Sequence, residues 1–201
     1  MPFPLNDITR SMIEKHFRRR NLAWDEAYFL NVLATSEKKH DVYCAVLALR
    51  DCGTLQAVPA LKEKLHFPMM DVQATALLTI AHIARAAETP LYAAMLLDPA
   101  YRQKGYATWA IRDAADARAI DAVLEYFTRN LGKLKSGKLY NATLPDGVEY
   151  LQRHVETDKR IPDFFRAIES IWPKLAEGER KEIVKRAEWF RHLSPDATVA
   201  G

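Results

Sequence analysis

Apolar residues recur along this chain at helical rather than strand spacing. Ala45, Val46, Leu49 and Cys52 form one set, which returns as Ala76, Leu77, Ile80 and Ile83 and again as Ala107, Thr108, Ile111 and Ala114. Positions spaced this way gather on one face of a helix. A shorter stripe follows each set, at Leu61 and Leu65, at Tyr92 and Leu96, and at Val123 and Phe127, predicting a second helix after each first one. Gly53 is placed to end the first helix, and Pro59 and Pro90 suit the first turn of the second, where a missing N–H costs nothing. Phe67-Pro68 and Asp98-Pro99 punctuate the exits, because the residue before a proline is pushed out of the helical region.

The helix pairs are copies of one unit. Ala48-Leu49-Arg50-Asp51 returns as Ala110-Ile111-Arg112-Asp113, and Ala57-Val58 as Ala119-Ile120, an offset of 62 residues, while half of that offset carries Pro59 onto Pro90. Three units of about 31 residues therefore fill Asp41 to Gly132. The period, the paired helices, the Ala-rich first helix and the Ala57-Val58-Pro59-Ala60-Leu61 opening resemble the short HEAT-like repeats, of the kind found in phycobilisome lyase-type proteins. That resemblance covers 92 of 201 residues. It implies an all-α fold, a right-handed α-solenoid of helix pairs with helical caps at both ends, and it specifies a fold more than a function. The chain departs from the pattern where Asp121 replaces the proline.

The flanks read as those caps. Asn6 or Asp7 opens a helix to Arg20 with Ile8, Met12, Ile13 and Phe17 inward, and Trp24 to Ala34 forms a second. Residues 1–132 then hold the N-terminal cap and the three repeats, 133–147 a linker marked by Ser136-Gly137 and Pro145-Asp146-Gly147, 148–193 a C-terminal helical cap, and 194–201 a frayed tail. The C-terminal helices are expected near Val148 to Glu156, Pro162 to Ala176 and Glu179 to Leu193, with Phe164, Phe165, Ile168, Ile171 and Trp172, then Ile183, Ala187 and Phe190, as their apolar stripes.

Composition fits a folded chain, with 49% apolar and 27% charged residues. No apolar run approaches the roughly 20 residues a membrane span needs, and Met1 to Arg10 lacks a signal core, so a cytoplasmic protein without membrane contact is expected. Cys44 and Cys52 stand eight apart on one helix, about 12 Å along its axis, too far for a disulfide. Cys52 continues the apolar stripe and is expected in the core, with Cys44 beside it. The net charge is +3. Residues 41–132 hold nine Lys/Arg against ten Asp/Glu, so the excess lies at the ends, at Arg18-Arg19-Arg20 and in the acid-free run Arg129, Lys133, Lys135 and Lys138. Such a run is a solvated surface or a phosphate contact.

Catalytic motifs are missing. No Gly-rich phosphate loop, dinucleotide fingerprint or nucleophile elbow occurs, no cofactor is implied, and the histidines show no metal-ligand spacing apart from the adjacent His40-Asp41, so no metal site is expected. Di-iron HEAT-repeat hydroxylases carry His-Glu pairs, which this chain lacks. Trp109 with Asp113, one turn apart, is similar to the aromatic-plus-aspartate site of bacterial alkylpurine DNA glycosylases, where the resemblance implies contact around a lesion and a carboxylate beside a developing cation. The repeat also explains both residues, since Asp113 is the equivalent of Asp51. What remains is the outward side of the second helices. There the 31-residue step aligns Lys62, Ala93 and Leu124; Glu63, Ala94 and Glu125; and His66, Leu97 and Thr128, a strip with an apolar middle and charged ends. Such a strip suits a partner helix or loop more than a phosphate backbone, provided Tyr140 and the linker do not cover it. The expected function is non-enzymatic binding of another protein through Lys62, Glu63, His66, Ala94, Leu97, Glu125 and Arg129. An adaptor or a toxin-neutralising immunity protein is the type it resembles. The alternatives are a nucleic-acid-binding or base-excising protein and, more distantly, a chromophore lyase.

Overall fold

The computed structural model describes residues 5–17, 24–135 and 143–194. Among these the chain is all-helical, with twelve α-helices joined by short 3-10 turns and no strand. None of the described helices is long and apolar enough to cross a membrane. The residues fall into two compact units, one reaching to Thr89 together with Asp113–Ala115, the other holding Pro90–Arg112 and the chain from Asp116 onward. The chain passes between the units at Thr89–Pro90 and again around Asp113–Ala115.

The first unit is built from α1 (Asp7–Phe17), α2 (Glu26–Thr35), α3 (Lys39–Cys52), α4 (Val58–Glu63) and α5 (Met70–Ala84). Asp25 starts α2 by accepting the Tyr28 N–H, satisfying a donor that the first helical turn leaves free. Helix α3 packs against both α2 and α5, and the buried Thr79 hydroxyl donates to the Val46 carbonyl at 3.3 Å. Pro59 sits in the first turn of α4 as expected. Gly53 does end α3, but with φ −77°. The glycine is needed there for closeness, since a Cβ would stand 2.4 Å from the Leu49 carbonyl oxygen and 2.9 Å from Ile83 Cδ1.

Two expectations for this unit are corrected. In α1 only Ile13 and Phe17 are buried, whereas Ile8 is 82% and Met12 39% exposed; the buried pair lies four residues apart on one stripe, and a helix of eleven residues has one inward face. The cysteines exchange roles, with Cys44 buried and Cys52 half-buried. Cys44 faces inward beside Ala45 and Leu49, while Cys52 occupies the last turn, its thiol turned back to the Ala48 carbonyl at 3.4 Å.

The second unit contains α6 (Thr89–Leu97) from Pro90 on, α7 (Lys104–Ala114) up to Arg112, α8 (Ile120–Arg129), α9 (Leu131–Lys135), α10 (Leu144–Gln152), α11 (Arg160–Ile171) and α12 (Glu177–Arg186), with a 3-10 segment at Glu188–Leu193. The range expected as linker is helical at both described ends, since α9 reaches Lys135 and α10 begins at Leu144. Pro145, Asp146 and Gly147 lie in the first turn of α10, where proline is at home, and not in a turn. The remaining C-terminal stripes are buried as expected at Phe164, Phe165, Ile168, Ile171, Ile183, Ala187 and Phe190. Trp172 is half-buried and stacks on Phe190 with ring centroids 5.5 Å apart. A buried carboxylate, Asp146, accepts from Arg186 at 2.5 Å, from Arg112 and from the Thr143 hydroxyl, while Arg186 also reaches Glu182 at 2.8 Å. These groups tie the helix starts and ends of the unit together by charge-assisted hydrogen bonds.

Burial repeats with the sequence. The first three positions of each 31-step set are buried and the fourth is half-buried, in α3, α5 and α7 alike, and the second-helix stripes Leu61, Leu65, Tyr92, Leu96, Val123 and Phe127 are all buried.

Candidate functional site

In the second unit, the outward side of α8 and the facing side of α11 enclose a groove of about 640 Å³. Its apolar floor is Leu124, Leu131, Phe164 and Ala167, and its rim is Asp121, Glu125, Thr128, Arg160 and Asp163. Leu124 was expected outward, yet it is buried and forms part of this floor, because α11 covers the α8 face that carries it. Rim charges are paired along the surface, Arg160 to Asp121 and Asp158 at 2.6 Å and Arg129 to Glu125 at 2.7 Å. Exposed pairs of this kind hold geometry more than they stabilise. On α6, Ala94 is exposed and Leu97 is 36% exposed, beside the buried Met95 and Leu96.

The other expected contact residues have these positions. Lys62, Glu63 and His66, in the first unit, are exposed, with Lys62 paired to Glu88 at 2.6 Å. Lys133 is exposed on α9, which also includes Lys135 in its last position. Lys138, Tyr140 and Arg18 to Arg20 lie outside the described residues. Trp109 does not pack into a core: it is 42% exposed, neighbours Tyr106 with ring centroids 6.1 Å apart, and carries the Arg112 guanidinium 5.4 Å from its ring centre. Asp113 is exposed and belongs to the first unit.

The first unit brings together residues that sequence spacing kept apart. His16, at the end of α1, meets His40 and Cys44, one turn apart at the start of α3, and the three potential ligand atoms lie within 4.8 Å of one another. Cys44 Sγ is 3.7 Å from His40 Nε2, and the two imidazoles meet edge to face with centroids 4.4 Å apart. Asp41, almost fully buried, stands 2.8 Å from His16 Nε2 and accepts the Ser36 hydroxyl at 2.9 Å. Burial, and then the Asp41 carboxylate, push the Cys44 thiol up to about 11, so the free protein holds it as a neutral SH. Among the described residues this is the one group of three or more His, Cys, Asp or Glu side chains within metal-ligating reach. The expectation of no metal site rested on spacing along the chain, and the separation of His16 from His40 by a whole helix conceals the cluster from that test. The adjacent His40-Asp41 was its one visible sign.

No protein-family model, curated protein or solved structure matches the chain.

Proposed function

We propose that the chain is a HEAT-like helical-repeat module, an α-solenoid in architecture, that binds another protein and acts as an adaptor or inhibitor without catalysing a reaction. The observation that carries this reading is the α8–α11 groove, whose apolar floor and charged rim suit an amphipathic helix or loop of a partner. Recurrent burial at the 31-residue step supports the repeat architecture. The test is site-specific photo-crosslinking in the native host, with the crosslinker at Thr128 or, as a control, at exposed Glu177. A discrete adduct at Thr128, absent at Glu177 and lost in Ala167→Glu with an unchanged melting temperature, is the expected result. Equal labelling at both positions refutes the groove.

One observation favours a second reading. Trp109 and Tyr106 form an exposed aromatic pair, suited to stacking on a base, beside the half-buried Arg112, whose guanidinium is bonded to Asp146. Salt-resistant, lesion-selective excision from alkylated duplex DNA, lost in Trp109→Ala, would establish the glycosylase-like alternative. Weak binding that disappears steeply with salt would leave only counterion release by the basic ends.

A further inference from the structure

We propose that His16, His40 and Cys44 form a binding site for a zinc-type divalent ion, with Asp41 as its anchoring carboxylate and a fourth position open beside the exposed His40.

Donor chemistry selects the ion. Two imidazole nitrogens and one thiolate sulfur match zinc, which takes nitrogen and sulfur ligands tetrahedrally, and are poor ligands for calcium or magnesium, which demand oxygen. Spacing agrees with this choice. Tetrahedral ligation at ordinary Zn–N and Zn–S lengths sets donor atoms roughly 3.3–3.6 Å apart. Cys44 Sγ and His40 Nε2 already stand at 3.7 Å, and the widest separation in the group is within 4.8 Å, a closure of at most about 1.5 Å that side-chain torsions supply. His40 and Cys44 are held at i and i+4 on one face of α3, so two of the three donors are fixed by a single helical turn.

The surroundings are those of a ligand shell. Metal-bound histidines commonly hold a carboxylate that orients the ring, and here buried Asp41 holds His16 and is itself held by Ser36. Asp41 also places a negative charge in the low-dielectric side of the site, where it offsets that of the cation. On binding, the Cys44 S–H bond breaks and an S–metal bond forms, the proton leaving to solvent, so no oxidant or reductant is involved. With three protein ligands, the fourth position takes water or a partner's side chain. Because the donors come from α1 and α3, the ion would clamp the first helix onto the unit.

The experiment uses the full chain, freed of metal with chelator and titrated with Co²⁺ and then Zn²⁺. One equivalent of Co²⁺ should give visible d–d bands of tetrahedral intensity and a thiolate-to-cobalt charge-transfer band, and Zn²⁺ should displace both. His40→Ala alters an exposed side chain and Cys44→Ala a small buried one; each should weaken Co²⁺ binding at least tenfold, and Cys44→Ala should also abolish the charge-transfer band. His192→Ala, on an exposed histidine of the other unit, should change nothing. Zinc should further slow amide exchange in α1 of the wild type and not of His40→Ala. Absence of the charge-transfer band, or an isotherm unchanged in folded His40→Ala, overturns the site.

Discussion

Gly147 lies directly against the ring of Phe127: a Cβ at this position would stand 2.3 Å from Cε2 and 2.9 Å from Cζ. The ring is fully buried and contacts Phe164 and Tyr126, so it has little room to swing aside. A Gly147→Ala change would ordinarily favour a helix by about 1 kcal/mol. Here the overlap wins, and we expect a net loss of about 1–3 kcal/mol, as for other overpacked cores. Chemical denaturation checks this, and Phe127→Leu in the same chain should recover part of the loss, since the smaller side chain clears the space.

That contact also shows where the sequence was legible and where it was not. The helices of the repeat, their prolines and their buried stripes follow from 3.6-residue periodicity, a local property. Pro145-Asp146-Gly147 has turn composition, yet it opens α10 because Phe127 needs a small neighbour and Arg112 and Arg186 need a carboxylate. These demands come from residues distant in sequence, and no window around residue 146 contains them. The same holds at Leu124, which local phasing puts outside and α11 covers, and at His16, brought to His40 and Cys44 by the packing of α1 on α3. Ile8 and Met12 fit the apolar pattern of α1 but lie off its buried stripe. Periodicity reveals a face, and only the packing reveals what occupies it.

Asp146 should matter more than a surface acid. Removing a buried partner leaves the opposite charges uncompensated, a loss of about 3–5 kcal/mol for fully buried pairs. Arg112 and Arg186 retain 18% and 28% side-chain exposure, so solvent recovers part of it, and Asp146→Ala is expected to cost about 2–3 kcal/mol. Glu177→Ala, which removes an exposed pair with Lys181, should leave the urea midpoint unchanged. Equal midpoints for the two variants would show that the Asp146 cluster contributes nothing.

Acid should weaken the first unit through His82. Burial, then Arg50 and Arg85, lower its pKa from the ordinary value of 6.5, with Asp51 opposing, and its Nδ1 is buried without a hydrogen-bond partner. The folded state therefore prefers neutral imidazole. Its stabilising contribution is complete above the unfolded value and is lost as pH falls below about 6.5 toward the depressed folded value, because there the unfolded chain takes up a proton that the folded chain refuses. Unfolding free energies between pH 7.5 and 5.5 should decline for the wild type and decline less for His82→Gln. Parallel profiles would remove His82 as the cause.

Leu97 offers the sharpest separation of binding from folding. It lies at the last position of α6, 36% exposed, whereas its neighbour Leu96 is fully buried. Leu97→Glu places a carboxylate at the water side of the helix, where it meets the negative end of the helix dipole, so stability should fall by no more than about 1 kcal/mol. If the partner covers this position, the same carboxylate loses its water on association without gaining a counter-ion. A penalty of about 2.8 kcal/mol corresponds to a hundredfold loss of affinity, and burial of an unpaired charge can exceed it. Leu96→Glu is the contrasting variant, expected to unfold the helix packing itself. Glu125→Lys, at the groove rim and paired to Arg129, should act through the association rate and its salt dependence, since rim charges steer encounter more than they hold the complex. Binding kinetics of the three variants against the crosslinked partner, beside their thermal melts, decide the matter. A large fall in melting temperature for Leu97→Glu would make this residue part of the core, and unchanged affinity in a stable Leu97→Glu protein would confine the interface to the α8–α11 groove.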